Sequence, residues 1–270
     1  MGIGVMKRKP ADRLAGSGGQ TAGNVGAAGE SASHPSLLQH PASLFNPDER
    51  LIPIYRKGSV WYEQYEKVRL GLLNSARELH IIPKVILVTS SLPSEGKTLT
   101  AVNLALALQR SGQSNVLLID ADLRKPQIHK FLARVPDQGL GEVLNGKGEI
   151  EKILGEGREG SLRVLTAGRD VNNPIGLLES PRLTEALSRM RESYDHIILD
   201  GPPWLPFPDA AILSEQADGV LLVVRMGATP RDAVQKSLDA FDRKRLLGVV
   251  ANDIEDDEMC RYYKYYDYKS

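Results

Sequence analysis

The sequence predicts an α/β fold: a mostly parallel sheet with helices on both faces. Three observations carry that prediction. From Pro83 onward short apolar runs alternate with helix-like segments, a loop bearing glycine and lysine follows the first run, and carboxylates end two later runs. Strand and helix signals in alternation imply βαβ units. Continuous rather than alternating apolar runs imply strands covered on both faces.

Taken in order, residues 1–48 form the first unit, rich in Gly, Ala and Ser without apolar periodicity from Ala11 to about Pro47. Such composition predicts a disordered arm. In "SVWYEQYEKVRLGLLNSA", Trp61, Tyr65, Val68 and Leu72 recur at three- and four-residue steps, an amphipathic helix that serves either a core or a subunit interface. The strand candidates are "VILVT", "NVLLID", "LRVLTA", "HIILD", "GVLLVV" and "LLGVVAN", with "TLTAVNLALALQRSG" and "SPRLTEALSRMRESY" among the intervening helices. One domain over residues 49–256 is expected, followed by a flexible tail over residues 257–270.

Bulk composition narrows the partners. Thirty-four basic residues balance thirty-four acidic ones, so no global charge points to nucleic acid. The single cysteine, Cys260, excludes an intramolecular disulfide and suits a reducing compartment. The five histidines fall at no zinc-binding spacing. With no apolar run of about 18 residues, no spanning helix is expected, and "ADRLAGSGGQ" after "MKRKP" is not a secretory signal. A cytoplasmic protein is the expectation.

In α/β sheets ligands bind at the carboxyl ends of the strands, so the residues just after each run carry the chemistry. "SSLPSEGKTLT" follows the first run and precedes a helix, the context of a phosphate loop. Ser94, Glu95, Gly96, Lys97, Thr98 and Leu99 would line the nucleotide. Loop N–H groups surround the phosphates, Lys97 supplies a point charge, and the Thr98 hydroxyl binds magnesium. Ser91 stands where the motif usually has its first glycine. "NVLLIDADLRKP" brings Asp120, Asp122 and Arg124 to a strand end, and this strand is expected next to the phosphate-loop strand. Carboxylates there can orient metal-bound water or take a proton from an attacking hydroxyl. Asp200 repeats the arrangement in "HIILDGPP" and is expected to complete the magnesium shell.

The phosphate loop, "LLIDADLR" and "IILDGPP" together resemble the bacterial tyrosine kinases, over roughly Glu63 to Ser270. "DGPPWLPFPDAAILSEQADGVLLVVRMGATP" and "LLGVVAND" are similar to that family as well. The resemblance implies a phosphate-loop NTPase of the deviant Walker, partition-ATPase-like type that uses ATP and Mg2+. It makes Lys97, Asp120 and Asp122 catalytic, with Asp120 as base and Asp122 supporting magnesium or base. Thr98, Asp122 and Asp200 become metal-side residues, and Asn252 the adenine-side asparagine, unless Asn252 merely ends a strand. Arg124 is left with three readings: phosphate, a neighbouring subunit or a surface ion pair. Partition and septum-positioning ATPases share the acidic motifs but carry an extra lysine early in the loop, where this chain has Leu92. A non-kinase ATPase of that type is the alternative reading. In the family a glutamate and two arginines at three-residue steps pack against the next subunit of a ring; here the residues are Glu63, Glu66 and Arg69.

Five of the nine tyrosines, Tyr262, Tyr263, Tyr265, Tyr266 and Tyr268, sit in the last ten residues. From Asn252 to Tyr262 is ten residues, which fully extended span about 35 Å, enough to approach a neighbour's nucleotide, and with the kinase resemblance the tail is the expected autophosphorylation substrate. Each phosphate adds roughly −1.5 to −2 charges. The resemblance further implies a regulator of exopolysaccharide or capsule polymerisation and export. It implies a membrane-spanning co-polymerase activator, a homo-oligomer, a cognate tyrosine phosphatase, and peripheral attachment at the inner face of the membrane through the activator.

Overall fold

The computed structural model describes residues 2–6, 50–51, 59–110, 114–132, 137–155, 162–242 and 244–254. Most of the expected arm and all of the expected tail, including Tyr262, Tyr263, Tyr265, Tyr266 and Tyr268, lie outside the described residues. Among the described residues seven strands form one parallel sheet: β1 (Gly2–Met6), β2 (Val85–Ser90), β3 (Val116–Asp120), β4 (Leu162–Leu165), β5 (His196–Asp200), β6 (Gly219–Arg225) and β7 (Leu246–Ile254). Their order is β1-β7-β6-β2-β5-β3-β4, with every neighbouring pair parallel. The sheet thus holds all six strands the sequence predicts. It also holds β1, in a segment that composition assigned to the disordered arm: its residues pair in register with Val249, Val250 and Ala251.

A second difference concerns the functional strands. The expectation that β3 lies next to β2 is corrected, because β5 separates them and pairs with both. Strand neighbours depend on the crossovers, which local periodicity does not encode. The consequence is that Asp200 lies at the centre of the site, directly opposite Asp120 in the β3–β5 register.

The central strands alternate between two apolar layers, as their period of two requires. Val85, Leu87, Leu117, Ile119, Ile197, Leu199, Val220 and Leu222 face one layer. Ile86, Val88, Val116, Leu118, Ile198, Leu221 and Val223 face the other. Helices close both sides. The second layer is covered by α1 (Val60–Glu78) and α2 (Lys97–Arg110). Helix α1 begins where the Ser59 hydroxyl accepts from Tyr62 N, and its stripe of Tyr65, Val68, Leu72 and Ala76 is buried in the domain's own core. The short α3 (Ile128–Phe131) follows β3 on this side.

The first layer is covered by α4 (Leu140–Leu144), α5 (Ile150–Leu154), α6 (Pro174–Leu178), α7 (Pro181–Ser193), α8 (Asp209–Gln216) and α9 (Arg231–Ala240). Helix α7 has a Ser180 cap, Pro181 in its first turn, and a buried stripe of Leu183, Ala186, Leu187 and Met190. Among the described residues no helix is long and apolar enough to cross a membrane.

At the amino ends of the strands, Asp218 ties three segments together. Its Oδ2 accepts from Lys84 N, Val85 N and Arg191 at 2.8 Å each, and Oδ1 accepts from Arg191, also at 2.8 Å. The Arg191 guanidinium and the two amides outweigh the effect of burial and hold this carboxyl below its usual range.

Candidate active site

The loop between β2 and α2 turns sharply enough to put Ser94 at φ 65° and Gly96 at φ 93°. Helix α2 starts at Lys97, so its first-turn N–H groups lack intrahelical acceptors and carry the positive end of the helix dipole. Gly96 is required for two reasons. Its φ is left-handed, and a Cβ there would lie 2.0 Å from Asn252 Nδ2.

Lys97, Thr98, Asp120, Asp122 and Asp200 come together as the sequence predicts, and all are buried. Lys97 Nζ donates to Asp122 Oδ2 at 2.8 Å, lies 3.3 Å from Thr98 Oγ1, and approaches Asp200 Oδ1 at 3.9 Å. Burial by itself lowers the Lys97 pKa, but Asp200, Asp122 and Asp120 outweigh it and keep the ammonium charged. Asp120 Oδ2 accepts from Gln127 N and Ile128 N at 3.0 Å each, which fixes the carboxylate plane. Its Oδ1 is buried with no hydrogen-bond partner among the described residues, and the Asp200 oxygens, also buried, have the Thr98 hydroxyl and Lys97 near them. Burial first, and then the Asp200 charge, pushes the Asp120 carboxyl up to about 8. Burial likewise pushes Asp200 up to about 6, against Lys97 and the Thr98 hydroxyl.

A buried carboxylate oxygen without a donor among the described residues, Asp120 Oδ1, beside the thinly partnered Asp200 fits a cation, which would supply the missing partner. Among the described residues no three of His, Cys, Asp and Glu form a ready metal cage. A magnesium ion keeps several waters and takes one or two carboxylates plus substrate phosphates, a demand that a single carboxylate and a hydroxyl can meet. Were such an ion bound, the Thr98 hydroxyl and Asp200 would be the groups to hold it, with Asp122 behind Lys97.

The remaining predicted residues are arranged as follows. Ser94 is exposed on the loop and Leu99 is half-buried in the first turn of α2. Glu95 belongs to the loop, but its carboxylate turns inward: Oε2 accepts from Leu92 N at 2.7 Å, and Oε1 takes the Thr229 hydroxyl. Asn252 reaches the loop, its Nδ2 donating to Glu95 O at 2.9 Å. Arg124 forms a two-pronged pair with Asp209, at 2.8 and 3.0 Å, and lies 4.3 Å from the Phe207 ring. The pair ties the loop after β3 to the start of α8. On α1, Arg69 pairs with Glu66 at 2.9 Å within the same helix.

Sequence reasoning missed Thr229 and Asp209. Both follow apolar runs or their turns, at the carboxyl edge where ligand-side residues collect, and that position was the available signal. It also missed the turn after β5, where Trp204 N and Leu205 N donate to Ser90 O and Ser91 O at 2.7 and 3.2 Å. Those bonds bind the Asp200 loop to the base of the phosphate loop.

A parallel sheet, a phosphate loop on a central strand, and carboxylates ending the adjacent strand β5 and, beyond it, β3 define a phosphate-loop NTPase of the deviant Walker type. A family model described as an AAA domain matches residues 83–243. The chain is 37% identical over 192 residues to the tyrosine-protein kinase YwqD of Bacillus subtilis, covering 70% of this chain and 80% of that protein. It is 32% identical to the tyrosine-protein kinase ptk of Acinetobacter johnsonii over 68% of this chain, but spans only 24% of that longer protein. Among solved structures, the kinase domain of the Escherichia coli tyrosine kinase ETK superposes with a TM-score of 0.69 at 28% identity, over 76% of this chain and 80% of that one. The chain belongs to the bacterial tyrosine kinase family.

Proposed function

We propose that the protein is an ATP- and Mg2+-dependent tyrosine autokinase that phosphorylates its terminal tyrosines and regulates exopolysaccharide or capsule polymerisation and export. The observation that carries the reading is the buried, unpartnered Oδ1 of Asp120 at the strand end beside Lys97 and the phosphate loop. A carboxylate that is fixed through its other oxygen and raised toward about 8 is a competent acceptor for a phenol proton. The tyrosine oxygen attacks the γ-phosphorus, the bond to the β–γ bridging oxygen breaks, ADP leaves, and the phenol proton goes to Asp120 Oδ1. Lys97 exchanges its Asp122 contact for the phosphates, and its charge offsets the charge on the transferring group. Magnesium, held by Thr98 and Asp200, would neutralise charge on the phosphates.

Tyr262, Tyr263, Tyr265, Tyr266 and Tyr268 are the acceptors in this reading, supplied to a neighbouring copy in a homo-oligomer. With Glu66 in place of the family's first arginine and paired to Arg69 within the helix, subunit assembly through α1 either uses other groups or is weaker. A membrane-spanning activator and a tyrosine phosphatase complete the cycle, and the activator holds the kinase at the inner face of the membrane. Intact-mass spectrometry after incubation with ATP and Mg2+, with and without a candidate activator segment, tests the proposal. Phosphate increments on the terminal tyrosines that Lys97→Met abolishes are expected. ATP hydrolysis without any increment overturns the kinase reading in favour of the septum-type ATPase.

A further inference from the structure

The phosphate loop carries an acid, Glu95, immediately before Gly96, Lys97 and Thr98. A carboxylate pointing into the loop would repel a triphosphate, so its position matters to affinity. The structure turns it away from solvent and holds it at both oxygens, leaving the residue 3% exposed. The polarity of the second contact is fixed. Thr229 Oγ1 accepts from Arg225 N at 3.1 Å, so its own proton is directed to Glu95 Oε1. Arg225 is in turn held by Asp253 at 2.7 Å, and Met226 N donates to Asn252 O at 2.8 Å. Asn252 closes the set through Glu95 O. The ends of β6 and β7 therefore grip the loop by side chain and main chain at one residue.

We propose that Thr229 and Asn252 are positioning residues that act through Glu95 to hold loop residues 91–98 in the shape that takes a triphosphate. Asn252 thus works on the loop rather than on the base. The inference rests on the nucleotide-binding reading above and assigns Asn252 a task that its reading as an adenine contact lacks. The two tasks separate experimentally, because a loop defect weakens any triphosphate, whereas a lost base contact weakens only ligands that carry a base.

Calorimetric binding of ATP and of inorganic tripolyphosphate, each with Mg2+, to the full chain decides the matter. Thr229→Val and Asn252→Asp are each expected to weaken both ligands by the same factor, about tenfold, which is roughly 1.4 kcal/mol. Thr229→Ser, which keeps the hydroxyl, is expected to restore both affinities. If Asn252→Asp weakens ATP alone, the base contact is correct and the loop assignment of Asn252 is overturned. If Thr229→Val folds and binds both ligands as the parent does, the Glu95 grip is overturned. A parent protein that binds neither ligand refutes the nucleotide reading itself, and the latch with it.

Discussion

Replacing Asp120 with Asn should make the nucleotide-free protein more stable at alkaline pH while abolishing phosphate transfer. Asp120 Oδ2 accepts from the Gln127 and Ile128 amides. Asn keeps that interaction through its carbonyl oxygen. Its NH2 group then occupies the Oδ1 position, where the parent has a buried oxygen without a partner beside the Asp200 carboxylate. An unsatisfied buried polar group costs about 1–3 kcal/mol, more when charged, so relief of about 2 kcal/mol is expected. For a chain of this size that corresponds to a rise in Tm of roughly 6 °C. The sign follows from linkage. The folded-state pKa, about 8, lies above the unfolded value near 3.8, so the parent loses stability as pH rises between the two. At pH 5, about one unit above the unfolded value, most of that loss is still to come and the substitution gains less than at pH 8.5. Thermal unfolding in EDTA at pH 5 and pH 8.5 is the assay. An Asn variant no more stable than the parent at pH 8.5, or equally stabilised at both values, would refute the argument.

Two further outcomes are expected. Asp218→Ala should cost about 2–3 kcal/mol, because it strips Arg191, Lys84 N and Val85 N of one shared acceptor. Since the Asp218 pKa is depressed in the folded state, that difference should be present above the unfolded pKa and fade as pH falls through the folded one, as urea titrations at pH 7 and pH 3 would measure. Gly96→Ala forces a Cβ to 2.0 Å from Asn252 Nδ2 at φ 93°. It should lower ATP affinity at least tenfold while reducing the unfolding free energy by less than about 2 kcal/mol, because the strain falls on a loop.

The family's motifs were legible because each is a short run with its own local context: a loop between strand and helix, and carboxylates directly after apolar runs. Asp120, Asp122 and Asp200 therefore fall at or just past strand ends, and Lys97 at the start of the helix that follows the loop. Their grouping was not local. Asp120 faces Asp200 because β5 enters between β2 and β3, an outcome of crossover connections rather than of any residue near either aspartate. Glu95 reads in sequence as one more phosphate-loop residue, and only the approach of Thr229 and Asn252 from 134 and 157 positions away gives its side chain a task. Arg124 could not be assigned between phosphate, subunit and ion pair until α8 brought Asp209 beneath it. By itself the sequence determined which groups reach the carboxyl edge of the sheet, since apolar period and turn chemistry act over a few residues. Tertiary structure alone decided which of those groups meet, and how far burial shifts their protons, because both depend on segments that only the packed sheet brings together.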